Sequence, residues 1–421
     1  MGRVSDPRNP VKIIYPLPAL CFAGVLMFIC RLGARRQIGL ILRNRLSEKK
    51  FDSLFKVDAF PHGDTLNKVF SRLDPAQVQE VVTSMTEALI RKKVLYPWRL
   101  LDRYFVIAVD GTGYLSFSER HCQNCLTRTY KDNTIYYHHV LEAKLVTPNG
   151  FAFSLMTEFI ENKDPAATKQ DCELKAFHRL AERLKQRFPR LPILLSLDGL
   201  FAEGPVFDIC RAYHWRFMIV LKDKDLPSVN AEFAALSPLQ NENRLHLRTG
   251  RNGETEQNYS WVQDISYVDS KQREHRLTVI ECRETKRGKE QKLTTTKYKW
   301  VTDLKVSKSN VVALAHHGGR DRWKVENEGF NVQKNGGYGL EHVYTNNMNS
   351  AKIFYFLLQI AHTIAQLMDK GSLLKSYFPQ GFGSVKNLAF HILEAWRGAL
   401  LSPEDMEAIQ KGSFQIRFNT S

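Results

Sequence analysis

The strongest constraint on the fold is a series of apolar segments with β-strand character in the middle of the chain. Tyr104–Val109 is a β-branched apolar run that ends in Asp110, followed by Gly-Thr-Gly. It predicts a buried strand that delivers a carboxylate to its carboxyl end, where glycines let the backbone turn. Thr134–Pro148 and Phe151–Phe159 predict two more strands, joined at Asn-Gly, a pair typical of a hairpin turn.

The segment that follows alternates helices with short strands. Asp171–Phe188 has apolar residues at helical spacing, and a second helix is predicted at about Gly204–Tyr213. Between them, Ile193–Leu197 is a short apolar strand that ends in Asp198, again before a glycine, and Arg216–Leu221 supplies a last strand. The order is strand, strand, strand, helix, strand, helix, strand, which predicts an α/β fold with a mixed sheet.

This element order is that of a ribonuclease H-like core. In such a core the first and fourth strands lie side by side, so we expect Asp110 and Asp198 to be neighbours although they are far apart in the sequence. One Asp-Gly pair at a strand end indicates only a turn. Two aspartates at the ends of those two strands instead predict a shared site for a divalent cation, because hard cations prefer carboxylate oxygens.

A second constraint lies in the window Arg320–Lys334. It places Arg322, Glu326, Phe330 and Lys334 at successive steps of four, which a helix would align on one face. The alignment has two interpretations. It is either an exposed helix with ion pairs, worth only tenths of a kcal/mol per pair, or a metal-binding carboxylate flanked by cations that contact phosphates.

The chain is too long for one ordinary core, and its composition shifts along its length. The region before the first strand is helical in pattern and rich in Arg and Lys, which is typical of DNA contact or of a solvated charged face. A later region alternates polar with apolar residues and predicts further strands. The predicted divisions are a helical N-terminal domain for DNA binding and dimer contacts (1–103), a first part of the ribonuclease H-like core (104–224), a β-rich insertion (225–303), a second part of the core with the Glu326 helix (304–368) and a C-terminal helical region (369–421).

The net charge and the cysteine content restrict the class of binding partner and the cellular compartment that we expect. A net charge of +16 favours a polyanionic partner, with nucleic acid ahead of an acidic membrane. The apolar run Leu17–Leu32 is shorter than the roughly 20 residues of a spanning helix. It therefore predicts a buried helix, with a membrane anchor as the alternative. Seven cysteines in 421 residues do not suit a disulfide framework and indicate a reducing compartment. With a nucleic-acid partner, the expected location is the cytoplasm of a bacterium or archaeon, in association with the nucleoid.

Cys122 and Cys125 have the spacing of thiolate zinc ligands. A structural zinc site needs four ligands. From the nearby histidines and cysteines, His138 and Cys172 are predicted to complete a Cys3His site that ties the second and third strands to the helix that follows. The alternative is a pair of free cysteines at a turn.

Several segments of the chain together carry a family resemblance. They are VDGTG (Val109–Gly113), FSERHCQNC (Phe117–Cys125), YYHHVL (Tyr136–Leu141), QDCE (Gln170–Glu173), SLDGL (Ser196–Leu200), RWKVENEGFNVQK (Arg322–Lys334), GYGLEH (Gly337–His342), RLGARRQ (Arg31–Gln37) and HGDTLN (His62–Asn67). On these segments the chain resembles the DDE-type transposases of the IS4-like insertion-sequence group. The resemblance implies that Asp110, Asp198 and Glu326 form a catalytic triad. They would hold two Mg²⁺ or Mn²⁺ ions, with Asp110 on both.

The chain departs from the family at two places in its helix signature of tyrosine, arginine, glutamate and lysine. The arginine and the glutamate are present, with Glu328 as a nearby alternative to Glu326. Gly319 stands at the tyrosine position and Gln333 at the lysine position. Lys334, one residue later, is the candidate for the role of that lysine.

The resemblance also implies the partners and the reaction. Such a protein cleaves double-stranded DNA at the terminal inverted repeats of a transposon and joins the ends to target DNA. It acts as a homodimer that holds two ends, without a membrane. A nuclease of the same fold that does not join strands, or a catalytically silent DNA-binding derivative, are the alternatives. In the insertion, an aromatic residue of the family stacks on a flipped base, and a basic loop suits phosphate contact. The predicted DNA contacts are Arg322, Lys334, Trp261, Trp300, Lys286, Arg287 and Lys289. The alternative for the two tryptophans is a position in the core, and the alternative for the basic loop is a solvated hairpin tip.

Overall fold

The computed structural model describes residues 4–131, 133–163, 169–250, 254–287, 293–372, 374, 377–412 and 418. Its centre is a ten-stranded mixed sheet with helices packed on both faces, which confirms the predicted α/β class. The strands are β1 (Phe105–Phe117), β2 (Leu126–Tyr130), β3 (Asn133–Val146), β4 (Ala152–Ile160), β5 (Ile193–Leu197), β6 (Arg216–Val220), β7 (Arg244–Thr249), β8 (Thr255–Val268), β9 (Glu274–Arg287) and β10 (Leu293–Thr302).

Helices precede, interrupt and follow the sheet. Those with α geometry are α1 (Leu17–Ile29), α2 (Arg45–Phe55), α3 (Gly63–Phe70), α4 (Pro75–Arg91), α5 (Glu173–Arg187), α6 (Gly204–Tyr213), α7 (Pro227–Leu236), α8 (Val311–Ala313), α9 (Val332–Asn335), α10 (Met348–Lys370), α11 (Val385–Gly398) and α12 (Pro403–Lys411). Polar caps set several of their starts. Asp74 accepts a hydrogen bond from the backbone of Ala76 before α4, and Asn347 accepts one from Ser350 at the start of α10.

The sheet places the predicted first and fourth strands side by side. Its order is β2-β3-β1-β5-β6-β10-β9-β8-β7, and β4 also pairs with β3. β1 runs antiparallel to β3 and parallel to β5, and β5 runs parallel to β6. The predicted hairpin between β3 and β4 is confirmed, and Gly150 in its turn has a φ of +85° that favours glycine.

β1 is longer than the sequence predicts. It continues through Asp110 and the two following glycines to Phe117, and it stays paired with β3 over that length. The predicted turn after Asp110 is therefore wrong, because the backbone there remains a strand. Asp198 does follow the end of β5 and precedes a short 3-10 turn at Gly199–Phe201.

The predicted β-rich insertion forms strands that extend the same sheet. β7 to β10 pair in antiparallel fashion, and β10 joins β6 with Trp300 opposite Val220. Hydrophobic residues of the insertion therefore pack in the same two cores as the central strands. The insertion lies on the β6 side of the sheet, so β6 separates it from β5 and β1.

The N-terminal helices pack behind the sheet with α10. The apolar run that the sequence predicts to be a buried helix forms α1, where Leu20 and Ala23 are fully buried. Among the described helices, α10 is long and apolar enough to span a membrane, and 78% of its apolar window is buried in the fold. Both helices belong to the hydrophobic core on one face of the sheet, and α5, α6 and α7 line the core on the other face.

Candidate active site

Two aspartates lie side by side at the point where β5 ends and β1 continues. Val109 of β1 lies opposite Leu197, the last residue of β5, so the next residues along the chain are Asp110, inside β1, and Asp198, just after β5. Paired strands lie about 4.8 Å apart, and residues opposite each other project to the same face. The sequence therefore predicts the neighbourhood of these two aspartates correctly.

Arg322 is the buried counter-charge of this pair. Its Nη1 atom lies 3.0 Å from Oδ2 of Asp110, and Nζ of Lys222 lies 2.9 Å from Oδ1 of Asp198. Burial tends to raise the pKa of Asp198, but the hydrogen bond and charge of Lys222 and the charge of Arg322 outweigh it and lower that pKa. Arg322 is only 4% exposed. It therefore holds a carboxylate in this structure, where the sequence analysis assigned it to phosphate.

The segment that packs against these ends of β1 and β5 is helical but irregular. It passes from α8 through a π-helix (Leu314–Gly319), a 3-10 turn (Arg320–Arg322) and a second π-helix (Val325–Asn331) into α9. The regular alignment at steps of four is therefore wrong, because π and 3-10 turns change the number of residues per turn. Phe330 is buried whereas Glu326 is exposed, so the two do not share one face.

Negative charge is concentrated around Asp110. Burial raises the pKa of this carboxyl, Arg322 opposes the rise, and the charges of Glu173 and Glu326 add to it. Glu326 therefore lies within electrostatic reach of Asp110. The ligand atoms of Asp110, Asp198 and Glu326 do not all lie within 4.8 Å of one another. Arg322 thus acts on Asp110 and Asp198, Glu326 acts on Asp110 alone, and the three carboxylates do not converge on one point in this structure.

The two glutamates of the second π-helix have different surroundings. The charge of Glu326 acts on Asp110. The carboxylate of Glu328 instead lies 3.9 Å from the position that a Cβ would take at Gly150, and its charge acts on Lys370. This difference favours Glu326 over Glu328 as the third carboxylate of the site.

A carboxylate and an imidazole that the sequence analysis missed lie beside Asp110. Oε1 of Glu173 is 3.3 Å from Nε2 of His139. Both crowd the backbone of Gly111, because a Cβ there would lie 2.2 Å from Oε1 and 2.7 Å from Nε2. The available signal was Gly111 itself. A glycine inside an unbroken strand marks a close approach rather than a turn.

Gly111→Ala is expected to destabilise the protein and to displace Glu173 and His139. The added methyl group overlaps both side chains, and overpacking of this kind costs about 1–3 kcal/mol. Gly113→Ala is a matched control on the same strand, because a Cβ there meets nothing within 4 Å. Urea unfolding of both variants measures the difference. Equal free energies of unfolding would contradict the crowding at Gly111.

The predicted zinc ligands converge only in part. Sγ of Cys122 and Sγ of Cys125 are 3.7 Å apart, and they lie 3.6 Å and 3.3 Å from Nε2 of His138. Burial lowers the pKa of His138 to about 4, so its imidazole is neutral at pH 7. Cys172 is exposed and lies outside this cluster, so its prediction as fourth ligand is wrong. It stands at the N-cap position of α5 without a side-chain capping hydrogen bond, and the first residue of the helix, Glu173, faces β1.

The two tryptophans of the insertion belong to the core. Trp261 and Trp300 are 2% and 3% exposed, so neither presents a ring face to a flipped base in this structure. A Cβ at Gly319 would lie 2.5 Å from the Trp300 indole, which explains a glycine where the family signature has tyrosine. Trp323 is 49% exposed, and its ring centroid lies 4.7 Å from Cζ of Arg322. It is the exposed tryptophan of the segment that carries Arg322 and Glu326.

The lysine position of the family signature is filled by a buried amide. Gln333 is fully buried, and its Nε2 donates to Oε1 of Gln359 at 2.8 Å. Lys334 is half-buried and forms an ion pair with Glu341, with Nζ 2.7 Å from Oε1. The side chain of Lys334 is thus engaged by a neighbouring carboxylate and has no contact with Asp110 or Asp198 in this structure.

The described basic residues of this predicted loop, Lys286 and Arg287, lie at the carboxyl end of β9. Nζ of Lys286 is 2.9 Å from Oε1 of Glu284, which partly neutralises it. Arg287 is the last residue of β9 and is exposed. Lys289 lies outside the described residues. The structure therefore keeps Lys286 and Arg287 on the surface, where phosphate contact is open to them.

Comparison with known families identifies the N-terminal region. Residues 1–85 match the family described as DDE_Tnp_1-associated. This domain is found at the N-terminus of DDE-type transposases of the IS4-like group. The match covers α1, α2, α3 and part of α4, which precede the sheet. No curated protein matches the chain. The N-terminal helices are therefore transposase-related, as the sequence resemblance implies.

Proposed function

We propose that this chain, which carries at its N-terminus a domain found in DDE-type transposases, is itself a DNA transposase. It cleaves and joins double-stranded transposon ends by metal-dependent in-line phosphoryl transfer and acts as a homodimer. The observation that carries the proposal is the position of Asp110 next to Asp198 on paired parallel strands. The helical segment with Glu326 packs against the same strands.

The strand order supports a ribonuclease H-like core. β4, β3, β1, β5 and β6 lie side by side in that order, with β1 antiparallel to β3 and parallel to β5. In such a core an aspartate of the first strand lies beside an aspartate that follows the fourth strand. Asp110 and Asp198 occupy these two positions.

The donor set of the site fits a hard divalent cation. Asp110, Asp198 and Glu326 would hold two Mg²⁺ or Mn²⁺ ions, since these ions prefer carboxylate oxygens. When bound, the ions supply Lewis-acid activation of the attacking hydroxyl and stabilise the leaving oxygen. Carboxylates gathered without a cation repel one another. The contribution of Glu173 and Glu326 to the raised pKa of Asp110, whose first cause is burial, reflects that repulsion.

The cations of the chain orient the carboxylates and attract DNA. Arg322 fixes one carboxylate oxygen of Asp110, and Lys222 fixes one of Asp198. The side chain of Lys222 is 50% exposed, so it can exchange this partner for a phosphate at low cost. The net charge of +16 supplies the long-range attraction to DNA that every step requires.

Strand joining tests the proposed reaction. DNA from either side of the reading frame that encodes this chain would be end-labelled and incubated with the protein, a target plasmid and Mg²⁺. We expect cleaved ends and joined products, both lost when EDTA replaces Mg²⁺. Cleavage without joining would replace the proposal with a nuclease of the same fold. Binding without cleavage would replace it with a catalytically silent derivative.

A further inference from the structure

A cluster of two thiols and an imidazole lies outside the carboxylate site. Cys122 and Cys125 belong to the loop between β1 and β2, and His138 lies on β3. One ligand atom from each of the three lies within 4.8 Å of the others. Cys125 and His138 are buried, and Cys122 is half-buried. The cluster therefore brings together the β1–β2 loop and β3, which are separate in the sequence.

The distances inside the cluster match those around a tetrahedral zinc ion. Zinc bonds of about 2.3 Å to sulfur and about 2.0 Å to nitrogen, at tetrahedral angles, put two sulfurs about 3.8 Å apart and sulfur about 3.5 Å from nitrogen. The observed Sγ–Sγ distance is 3.7 Å, and the distances from the two sulfurs to Nε2 of His138 are 3.6 Å and 3.3 Å. A disulfide would instead require sulfurs about 2.05 Å apart.

The buried side chains beside the cluster include a polar neighbour for the second nitrogen of His138. Nδ1 of His138 and the hydroxyl of Tyr114 are buried without a hydrogen-bond partner. The two rings are neighbours, with centroids 6.1 Å apart. Buried polar atoms are seldom left unpaired, and the second nitrogen of a zinc-bound histidine is normally satisfied by a neighbouring polar group.

A second cluster of ligand-type residues in the described chain shows the opposite arrangement. Asp208, Asp269 and His275 also lie within 4.8 Å of one another. There, however, Arg273 forms ion pairs with both carboxylates. A cation of the chain already fills that cluster, whereas Lys352, whose charge acts on His138, is paired with Glu161.

We propose that Cys122, Cys125 and His138 bind one Zn²⁺ ion through their two thiolates and Nε2, with the fourth position left to a ligand from outside this cluster. Thiolate and imidazole donors suit zinc, whereas the carboxylates near Asp110 suit Mg²⁺. The ion fastens the β1–β2 loop to β3. This inference is independent of the proposed DNA chemistry, since it concerns other residues and another metal.

The zinc ion would also support the carboxylate site. Successive residues of a strand point to opposite faces of the sheet. His138 faces the zinc cluster, and the next residue, His139, contacts Glu173 beside Asp110. An ion that fixes His138 therefore fixes the strand position of His139.

Zinc content tests the inference directly. Protein purified from zinc-supplemented medium without chelator would be analysed by elemental mass spectrometry. We expect about one equivalent in the unchanged protein and less than about a tenth in Cys125→Ser and His138→Gln, since either change leaves only two of the three protein ligands. Cys172→Ser is the matched control, and we expect it to keep its zinc because Cys172 is exposed outside the cluster.

A second measurement does not depend on whether the ligand variants fold, because it is made on the unchanged protein. Co²⁺ in place of zinc gives a thiolate-to-metal charge-transfer band when cysteines bind it. We expect that band in the unchanged protein and in Cys172→Ser. Less than a tenth of an equivalent of zinc in the unchanged protein, together with no Co²⁺–thiolate band, would overturn the inference and leave two free thiols at a turn. Loss of zinc in Cys172→Ser would overturn the proposed ligand set.

Discussion

Asp110→Asn is expected to abolish DNA cleavage and joining, a loss of about a thousandfold or more, equal to about 4 kcal/mol of transition-state stabilisation. The amide keeps the size of the side chain but removes the negative charge that a metal ion requires. DNA binding is expected to change by no more than about threefold, because the basic surface that attracts phosphates is unchanged. Cleavage of labelled DNA and a filter-binding titration measure the two effects.

The ion pair with Arg322 requires a second variant. Asp110→Asn leaves a guanidinium that is 4% exposed without its carboxylate, and an uncompensated buried charge can cost several kcal/mol of stability. Asp198→Asn avoids this cost, because its partner Lys222 is 50% exposed. We therefore expect Asp198→Asn to fold normally and to lose cleavage equally. Asp58→Asn, at an exposed position before the sheet, is the control with full activity. A folded Asp198→Asn that still cuts would contradict the assignment.

Glu326→Gln is expected to lose cleavage by a factor similar to that of Asp110→Asn, whereas Glu328→Gln keeps it within about threefold. The two glutamates lie on one π-helix two residues apart, which makes Glu328 a matched control. Glu326 acts electrostatically on Asp110, but Glu328 faces Gly150 and Lys370. Single-turnover cleavage with saturating DNA measures both variants.

Three outcomes of this pair are informative. Loss of cleavage in Glu328→Gln alone would move the third carboxylate to Glu328. Full activity of both variants would remove this helix from the catalytic site. Loss in both, with unchanged thermal unfolding, would mean that the segment rearranges on DNA and that its present geometry does not decide between the two residues.

Strand positions could be predicted because they depend on local pattern. The apolar run before Asp110 and the run before Asp198 become β1 and β5, and the topology then brings the two aspartates together. The limits of β1 could not be predicted in the same way. Gly111 and Gly113 are typical of turns in sequence, and only the pairing of β1 with β3 shows that the strand continues through them.

Helix type, side-chain burial and contacts could not be predicted where they depend on elements that are far apart in the sequence. The helix with Glu326 contains π and 3-10 turns where regular spacing was expected, because it must fit the ends of two strands. The burial of Trp261 and Trp300 and the approach of Glu173 to Gly111 depend on elements far away in sequence. Cys172 matched the zinc pattern by residue type alone, and α5 carries it to the surface.

The central claim is that Asp110, Asp198 and Glu326 share divalent metal ions. Anomalous diffraction from crystals of the protein grown or soaked with Mn²⁺ tests it most directly. We predict Mn²⁺ bound by carboxylate oxygens of all three residues, at about 2.0–2.3 Å. Crystals in which Asp110 remains paired with Arg322 and no Mn²⁺ contacts Asp198 or Glu326, while Mn²⁺ binds elsewhere on the chain, would contradict the account.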